Sequence, residues 1–303
     1  MSAAPERERV RLGDLTTLKV GGPAELWLVE HTDDIVEATR EPFRVLGAGS
    51  NLFVADEGVP ERVVRLGRTF STLDEMDGRT DLWLGAATPV PGLVRRAQRL
   101  GLSGLEGLLG IPAVLGGAVA MNAGTRFGQL SDTLREVELV VDGAPERLPA
   151  AALGLGYRRS ALPTGAVVTR VRLTLTPSTP ERVAAAMVAV DAARTGQPKV
   201  KSAGCAFKNP EGDVGAGALI DRAGLKGLRI GDAMVAHEHG NFIVNHAHAS
   251  AGDVLALIEA IRARVPVPLE LEWRRWGLPG GDPPFPGHFL GHAVTGSVRA
   301  HAR

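Results

Sequence analysis

Residues 104–124 read GLEGLLGIPAVLGGAVAMNAG, and this run constrains the chain more than any other. Six of its 21 residues are glycine, only Glu106 is charged, and the rest are small and mostly apolar. A backbone without Cβ atoms can come close to a bulky ligand. A second cluster lies upstream, Val45-Leu46-Gly47-Ala48-Gly49-Ser50-Asn51-Leu52. Either segment alone is compatible with an ordinary tight turn. Together they predict two backbone walls around one large, phosphate-bearing cofactor. The chain holds 38 glycines and 20 prolines, about 19% of its 303 residues against a usual ~12%, so many turns and backbone–ligand contacts are expected.

Charge and cysteine usage narrow the function classes. Lys plus Arg and Asp plus Glu are 34 each, so no global field draws nucleic acid or a membrane, and an anionic ligand needs a local site. Cys205 is the one cysteine, so no internal disulfide forms, which suits a reducing compartment. The N-terminus, MSAAPERERVRL, is charged where a secretory signal is apolar. The most apolar stretch, 108–121, is too short and glycine-rich to span a bilayer. The expectation is a cytoplasmic, monomeric enzyme with a small-molecule substrate, no nucleic acid and no membrane.

The local patterns predict an α+β chain. Ala24–Glu30 alternates like a strand, Thr32–Arg40 has a cap, early acids and a late Arg, and Phe43–Leu46 is a short strand running into GAGSN. Strands are expected at Val63–Leu66, Leu82–Leu84, Glu136–Val141 and Val167–Thr176. Pro91–Leu100 sets Leu93, Val94, Ala97 and Leu100 on one helical face, with Gly101 to end it. Ser178-Thr179-Pro180-Glu181 starts a helix that runs to about Arg194, and Ser250-Ala251-Gly252-Asp253 resembles a capping box. Cys205–Phe207 and Asn241–Val244 are strand-like. A domain boundary is expected at 178, and the Pro-, Gly- and His-rich 278–303 is expected to be a disordered tail.

Neither glycine segment is a familiar nucleotide fingerprint. G-x-G-x-x-G would need glycine where Leu52 stands, and G-x-x-x-x-G-K-[ST] is absent. Successive N–H groups in GAGSN can still hold a diphosphate as an anion nest, with the Ser50 hydroxyl as a further donor.

Six motifs, together with the upstream glycine cluster, carry a resemblance. They are TTLKVGGPA at 16–24, YRRS at 157–160, AGCAFKNP at 203–210, HGNFIVN at 239–245, LELEWR at 269–274, and GIP at 110–112 continuing through Gly116-Gly117 to Asn122-Ala123-Gly124. In order and spacing the chain resembles the UDP-N-acetylenolpyruvoylglucosamine reductase family over about residues 14 to 277. The resemblance implies an FAD-binding domain of the vanillyl-alcohol-oxidase (PCMH) type over 14–177, built from subdomains at about 14–66 and 67–177. A smaller α+β substrate-binding domain over 178–277 would follow. It implies noncovalent FAD, NADPH as hydride donor, and reduction of the enolpyruvyl group of a UDP-sugar in peptidoglycan synthesis. The competing readings are another flavin oxidoreductase of the same fold and a flavin-binding module without turnover.

The family motifs also imply roles. The expected cofactor contacts are Gly47, Ala48, Gly49, Ser50, Asn51 and Leu52 on one wall. On the other they are Gly110, Ile111, Pro112, Gly116, Gly117, Ala118, Asn122, Ala123 and Gly124. Hydride addition to an enol ether conjugated to a carboxylate builds charge on the adjacent carbon, which calls for fixed donors and an acid. Arg158 matches the motif arginine, suited to a carboxylate by its planar fork, with Arg159 as the decoy. Cys205 stands where the family has Ser or Cys as proton donor. Glu272 matches the motif acid, with Glu270 as the decoy at strand spacing. Tyr157, Arg194 and Asn209 are the expected substrate contacts. The longer subclass closes a tyrosine-bearing loop over its substrate. This chain's single tyrosine is already in YRRS, so it resembles the shorter subclass. The H-x-H pairs His237/His239 and His246/His248 are read as no metal site, since His239 falls in HGNFIVN.

Overall fold

The computed structural model describes residues 5–73, 76–198 and 200–287. The first subdomain is a four-stranded sheet. Pro23–Val29 and Phe43–Val45 each run parallel to the central Arg62–Leu66, and Glu6–Arg11 lies antiparallel along the outer edge. Strand Pro23–Val29 buries Ala24, Leu26, Trp27 and Val29. The helix Thr32–Ala38 makes the crossover, with the Asp34 carboxylate accepting from the Glu30 and His31 N–H groups at its start. The charged N-terminal segment, read only as lacking a signal, is therefore a sheet edge. Its residues are almost all exposed, so no apolar alternation marks it.

The second subdomain is antiparallel throughout. Ala144–Pro149, Leu134–Val141, Val167–Thr174 and Asp81–Gly85 follow one another across the sheet. Helix Val90–Arg99 buries Val90, Leu93, Val94 and Ala97, the face its spacing predicts, in the largest apolar core. Each of the valine and leucine side chains contributes about 1.5–3 kcal/mol when fully buried.

The C-terminal sheet runs Ser202–Cys205, Phe242–Asn245, Ala233–Val235, Arg229–Ile230, all antiparallel. Helix Ala251–Arg262 packs on it, and the Ser250/Asp253 capping box is formed at its start. The core beneath is shared with Leu18, Val20 and Phe53. Asn245, fully enclosed, donates to the carbonyls of Leu18 and Lys19 and accepts from Ala249 N. The TTLKVGG and HGNFIVN motifs thus meet at a domain seam.

Two expectations are corrected. Helix Pro180–Ala193 forms as read, with Thr179 accepting from Arg182 N. It packs against helix Val90–Arg99 and the turn Glu106–Leu108, and its Met187 lies on the largest core, so packing groups it with the preceding subdomain rather than with the unit expected to begin at 178. Residues 278–287, expected as the start of a disordered tail, are held. Strand Arg274–Trp276 pairs parallel with Leu52–Val54, the chain turns, and Phe43 and Phe285 exchange both backbone hydrogen bonds. Residues 288–303 lie outside the described residues. Among the described residues, no helix is long and apolar enough to cross a membrane.

Candidate active site

A cavity of about 1200 Å³ is lined by both N-terminal subdomains and the C-terminal domain. On one side all six residues from Gly47 to Leu52 line it. The N–H groups of Gly47, Ala48, Gly49, Ser50 and Asn51 donate to no acceptor among the described residues. Five open donors in succession suit an anion such as a diphosphate. Gly47 also keeps the wall close to its opposite, since an added Cβ would stand 3.2 Å from Val114 Cγ2 and 3.9 Å from Gly117 Cα. Gly49 answers to packing instead. Its φ is +65°, and a Cβ there would meet the Leu15 carbonyl oxygen at 2.2 Å.

The other wall is more mixed. Ile111, Pro112, Gly116, Gly117, Ala123 and Gly124 line the cavity, whereas Gly110, Ala118 and Asn122 do not. Ala118 is fully buried behind the wall. Asn122, at φ +40°, is also buried, and its amide binds Gln129 Oε1, Gly156 O and Ser131 N. Its role here is to brace loops. Gly110 gives its carbonyl to Arg194 Nη2 at 3.0 Å. The N–H groups of Leu115 and Gly116 are taken by Thr88 O and Ala86 O, so this wall offers fewer free donors than the first.

Three distant motifs build the far end of the cavity. Glu272 N donates to Ala206 O and Lys208 N to Glu270 O, which lays 270–272 against 206–208 and brings Glu272 beside Cys205. A β-bulge in Ser202–Cys205, with Gly204 at φ +75°, inserts one extra residue opposite Phe242–Val244. Such a bulge re-aims the side chain that follows, and Cys205 lines the cavity. Asn241 fixes Phe207, two residues after Cys205, by accepting from its N and donating to its O. The YRRS motif is a tight turn in which Gly156 and Arg159 exchange backbone bonds, Ser160 Oγ holds Ala120 O, and Arg158 takes φ +56°. A non-glycine residue in that region carries backbone strain, the kind found at functional sites.

Arg158 Nε donates to Glu272 Oε1 at 2.8 Å, with both side chains mostly buried. Arg159 instead lies over Gly156, and Glu270 pairs with Lys208 at the surface. Burial pushes the Cys205 thiol up to about 11, helped by the Glu272 charge and opposed by Arg158 and Arg194. Burial likewise raises Glu272 above the usual carboxylate range, with Arg158 pulling the other way. Arg194 also lines the cavity. Tyr157 is half exposed outside it, its hydroxyl reached by the Asn209 backbone. Asn209, expected as a substrate contact, uses its Oδ1 to accept from Ala216 N at the start of helix Ala216–Arg222.

Several lining residues were not among the expected contacts: Met121 and Arg274 lie inside motifs, and Trp276 and Asp282–Phe285 lie beyond the last one. Asn51 ties the two ends, its amide donating to Glu272 O while its own carbonyl accepts from Arg274 N. Among the described residues, no three of His, Cys, Asp and Glu gather as a metal set. His239 Nδ1 accepts from Asn241 N and its ring meets Phe242 edge-on.

Comparison with known proteins agrees with this architecture. The FAD binding domain family matches residues 28–144, and the family described as UDP-N-acetylenolpyruvoylglucosamine reductase, C-terminal domain, matches 197–275. The UDP-N-acetylenolpyruvoylglucosamine reductase of Thermus thermophilus is 59% identical over 269 residues, which cover 89% of this chain and 98% of the relative. That of Deinococcus radiodurans is 53% identical over 277 residues, covering 89% and 95%. The crystal structure of the Thermus caldophilus reductase superposes with a TM-score of 0.85 at 58% identity, over 90% of this chain and 99% of that one. The open amides of Gly47–Asn51 and the glycine faces at Gly47 and Gly117 fit an FAD in the cavity. With its two-part cofactor domain, its Arg158–Glu272 pair beside Cys205, and this identity along nearly the whole length, the chain belongs to the UDP-N-acetylenolpyruvoylglucosamine reductase family.

Proposed function

We propose that this chain reduces UDP-N-acetylglucosamine enolpyruvate to UDP-N-acetylmuramate, a step of peptidoglycan synthesis, with FAD as cofactor and NADPH as reductant. The observation that carries this is one cavity combining a diphosphate nest with a cluster of arginine, thiol and carboxyl groups, in a chain of that family. FAD held along Gly47–Asn51 and Gly117 would supply the hydride transfer chemistry between NADPH and the terminal enolpyruvyl carbon.

The remaining work belongs to side chains. Arg158 binds the enolpyruvyl carboxylate and stabilises the charge that builds beside it, and its strained turn and bond to Glu272 fix its position. Cys205 gives the proton to the adjacent carbon. Its burial serves this role, because a thiol held up to about 11 keeps its proton at neutral pH. Glu272, kept partly desolvated, holds Arg158 in place and raises the thiol. Arg194, anchored on Gly110 O, meets the substrate diphosphate. The lone cysteine suits the cytoplasm, the compartment we assign.

The test is an absorbance titration. The purified protein should carry a flavin spectrum, NADPH should bleach it, and UDP-N-acetylglucosamine enolpyruvate should restore it. Bleaching without restoration by that substrate would point to another flavin oxidoreductase, and no bleaching at all to a module without turnover.

A further inference from the structure

The Asp282–Phe285 segment lies beyond the last family motif, yet all four residues line the cavity. It is firmly built in. Phe43 N donates to Phe285 O at 3.0 Å and Phe285 N to Phe43 O at 2.8 Å. The two rings lie 5.4 Å apart at a tilt of 48°. The buried Arg44, paired with Glu61, donates to Asp282 O at 2.9 Å, and the Asp282 carboxylate accepts from Arg275 N and Arg274 Nη1. Gly287 passes so close to Arg40 that a Cβ would stand 2.2 Å from its carbonyl oxygen.

Position along one short stretch of chain says which part of the cofactor this segment meets. From 43 to 51 the backbone runs from the Phe285 contact, through the open amides of 47–51, to Asn51, whose amide touches Glu272 O. An FAD diphosphate in that nest has the flavin on one side and the adenosine on the other. The flavin must face the Arg158–Cys205–Glu272 end, which leaves the adenosine toward Phe285. Leu162, Pro163 and Thr164 line the same cavity, and Gly165 brings this loop next to Phe43, where its Cβ would stand 3.8 Å from Cζ. Pro283, Pro284 and Phe285 thus add an apolar, partly aromatic surface where a flat heteroaromatic base would lie.

We propose that Asp282–Phe285 is a wall of the FAD site that holds the adenosine half, with Phe285 as its principal contact. The proposal rests on the FAD reading above. Losing an aromatic contact to a base weakens binding by about 10- to 100-fold. The test uses the holoenzyme, stripped of flavin and then titrated separately with FAD and with FMN, which lacks the adenylate half. Phe285→Ala should weaken FAD about 10- to 100-fold and leave FMN unchanged. Equal weakening of both flavins, or no weakening of FAD, would overturn the proposal. If Phe285→Ala fails to fold, Phe285→Leu keeps the apolar contact with Phe43 without the aromatic face and gives the same two readouts. Failure of the wild-type protein to bind either flavin would instead reject the FAD reading itself.

Discussion

The two ends of the cavity are made of different material. The nest end is backbone, with five open amides at 47–51 and glycine faces at Gly47 and Gly117. The reacting end is side chains from three distant motifs, Arg158, Cys205 and Glu272, raised or paired by burial. Backbone walls recognise shape and phosphate and tolerate no added bulk. In the mechanism proposed above the side-chain cluster acts through protonation and charge, so it should tolerate bulk-neutral changes but not the loss of a proton. Substitutions at the two ends should therefore fail in different ways.

The largest expected effect is at the reacting end. Cys205→Ala should reduce with NADPH at near the wild-type rate yet reoxidise with substrate about 10²–10⁴-fold more slowly, and Cys205→Ser should retain more activity. Stopped-flow flavin absorbance separates the two halves. Unchanged reoxidation would move the proton to Glu272 or to water.

Next comes a glycine of the nest end that answers to packing. Gly49→Val forces a side chain onto the Leu15 carbonyl at φ +65°, and should destabilise the fold by more than about 3 kcal/mol. Thermal unfolding of the flavin-free protein reads this directly, and a melting curve like the wild type's would show that the Leu15 contact yields.

Gly117→Val makes the contrasting case. Its Cβ would find only Val114 Cγ2 at 3.9 Å, so the variant should fold and instead lose FAD, by about 10- to 100-fold. Full flavin occupancy would remove Gly117 from the cofactor wall.

The smallest effect is a pH profile. An ordinary thiol loses its proton near pH ~8.5. With Cys205 held up to about 11, the reoxidation half-reaction should stay flat from about pH 7 to about pH 10 and fall only beyond it. Glu272→Gln removes a negative neighbour that raises the thiol and leaves the lowering influence of Arg158 and Arg194. The alkaline fall should then move to lower pH. An unshifted limb would mean that another group sets it.

Legibility followed the range of the interactions. Strand Pro23–Val29, helices Val90–Arg99 and Pro180–Ala193, and the Ser250/Asp253 cap depend on neighbours a few residues away, and their patterns predicted them within a residue or two. The edge strand Glu6–Arg11 escaped because both its faces are wet. The held segment 278–287 escaped because its order comes from Phe43, Arg44 and Arg274 and not from any periodicity of its own.

The site divides along the same line. The sequence by itself determined the family, and it pointed to the two glycine segments and to Arg158, Cys205 and Glu272 as candidates, because motif order and residue chemistry are local records. Only the tertiary structure decided which glycine faces the cavity and which faces Leu15, that Asn122 and Asn209 brace loops, and that Arg158 rather than Arg159 meets Glu272. Those outcomes depend on what a residue meets across the fold, such as the 206–208 and 270–272 segments brought side by side, and distance along the chain carries no trace of it.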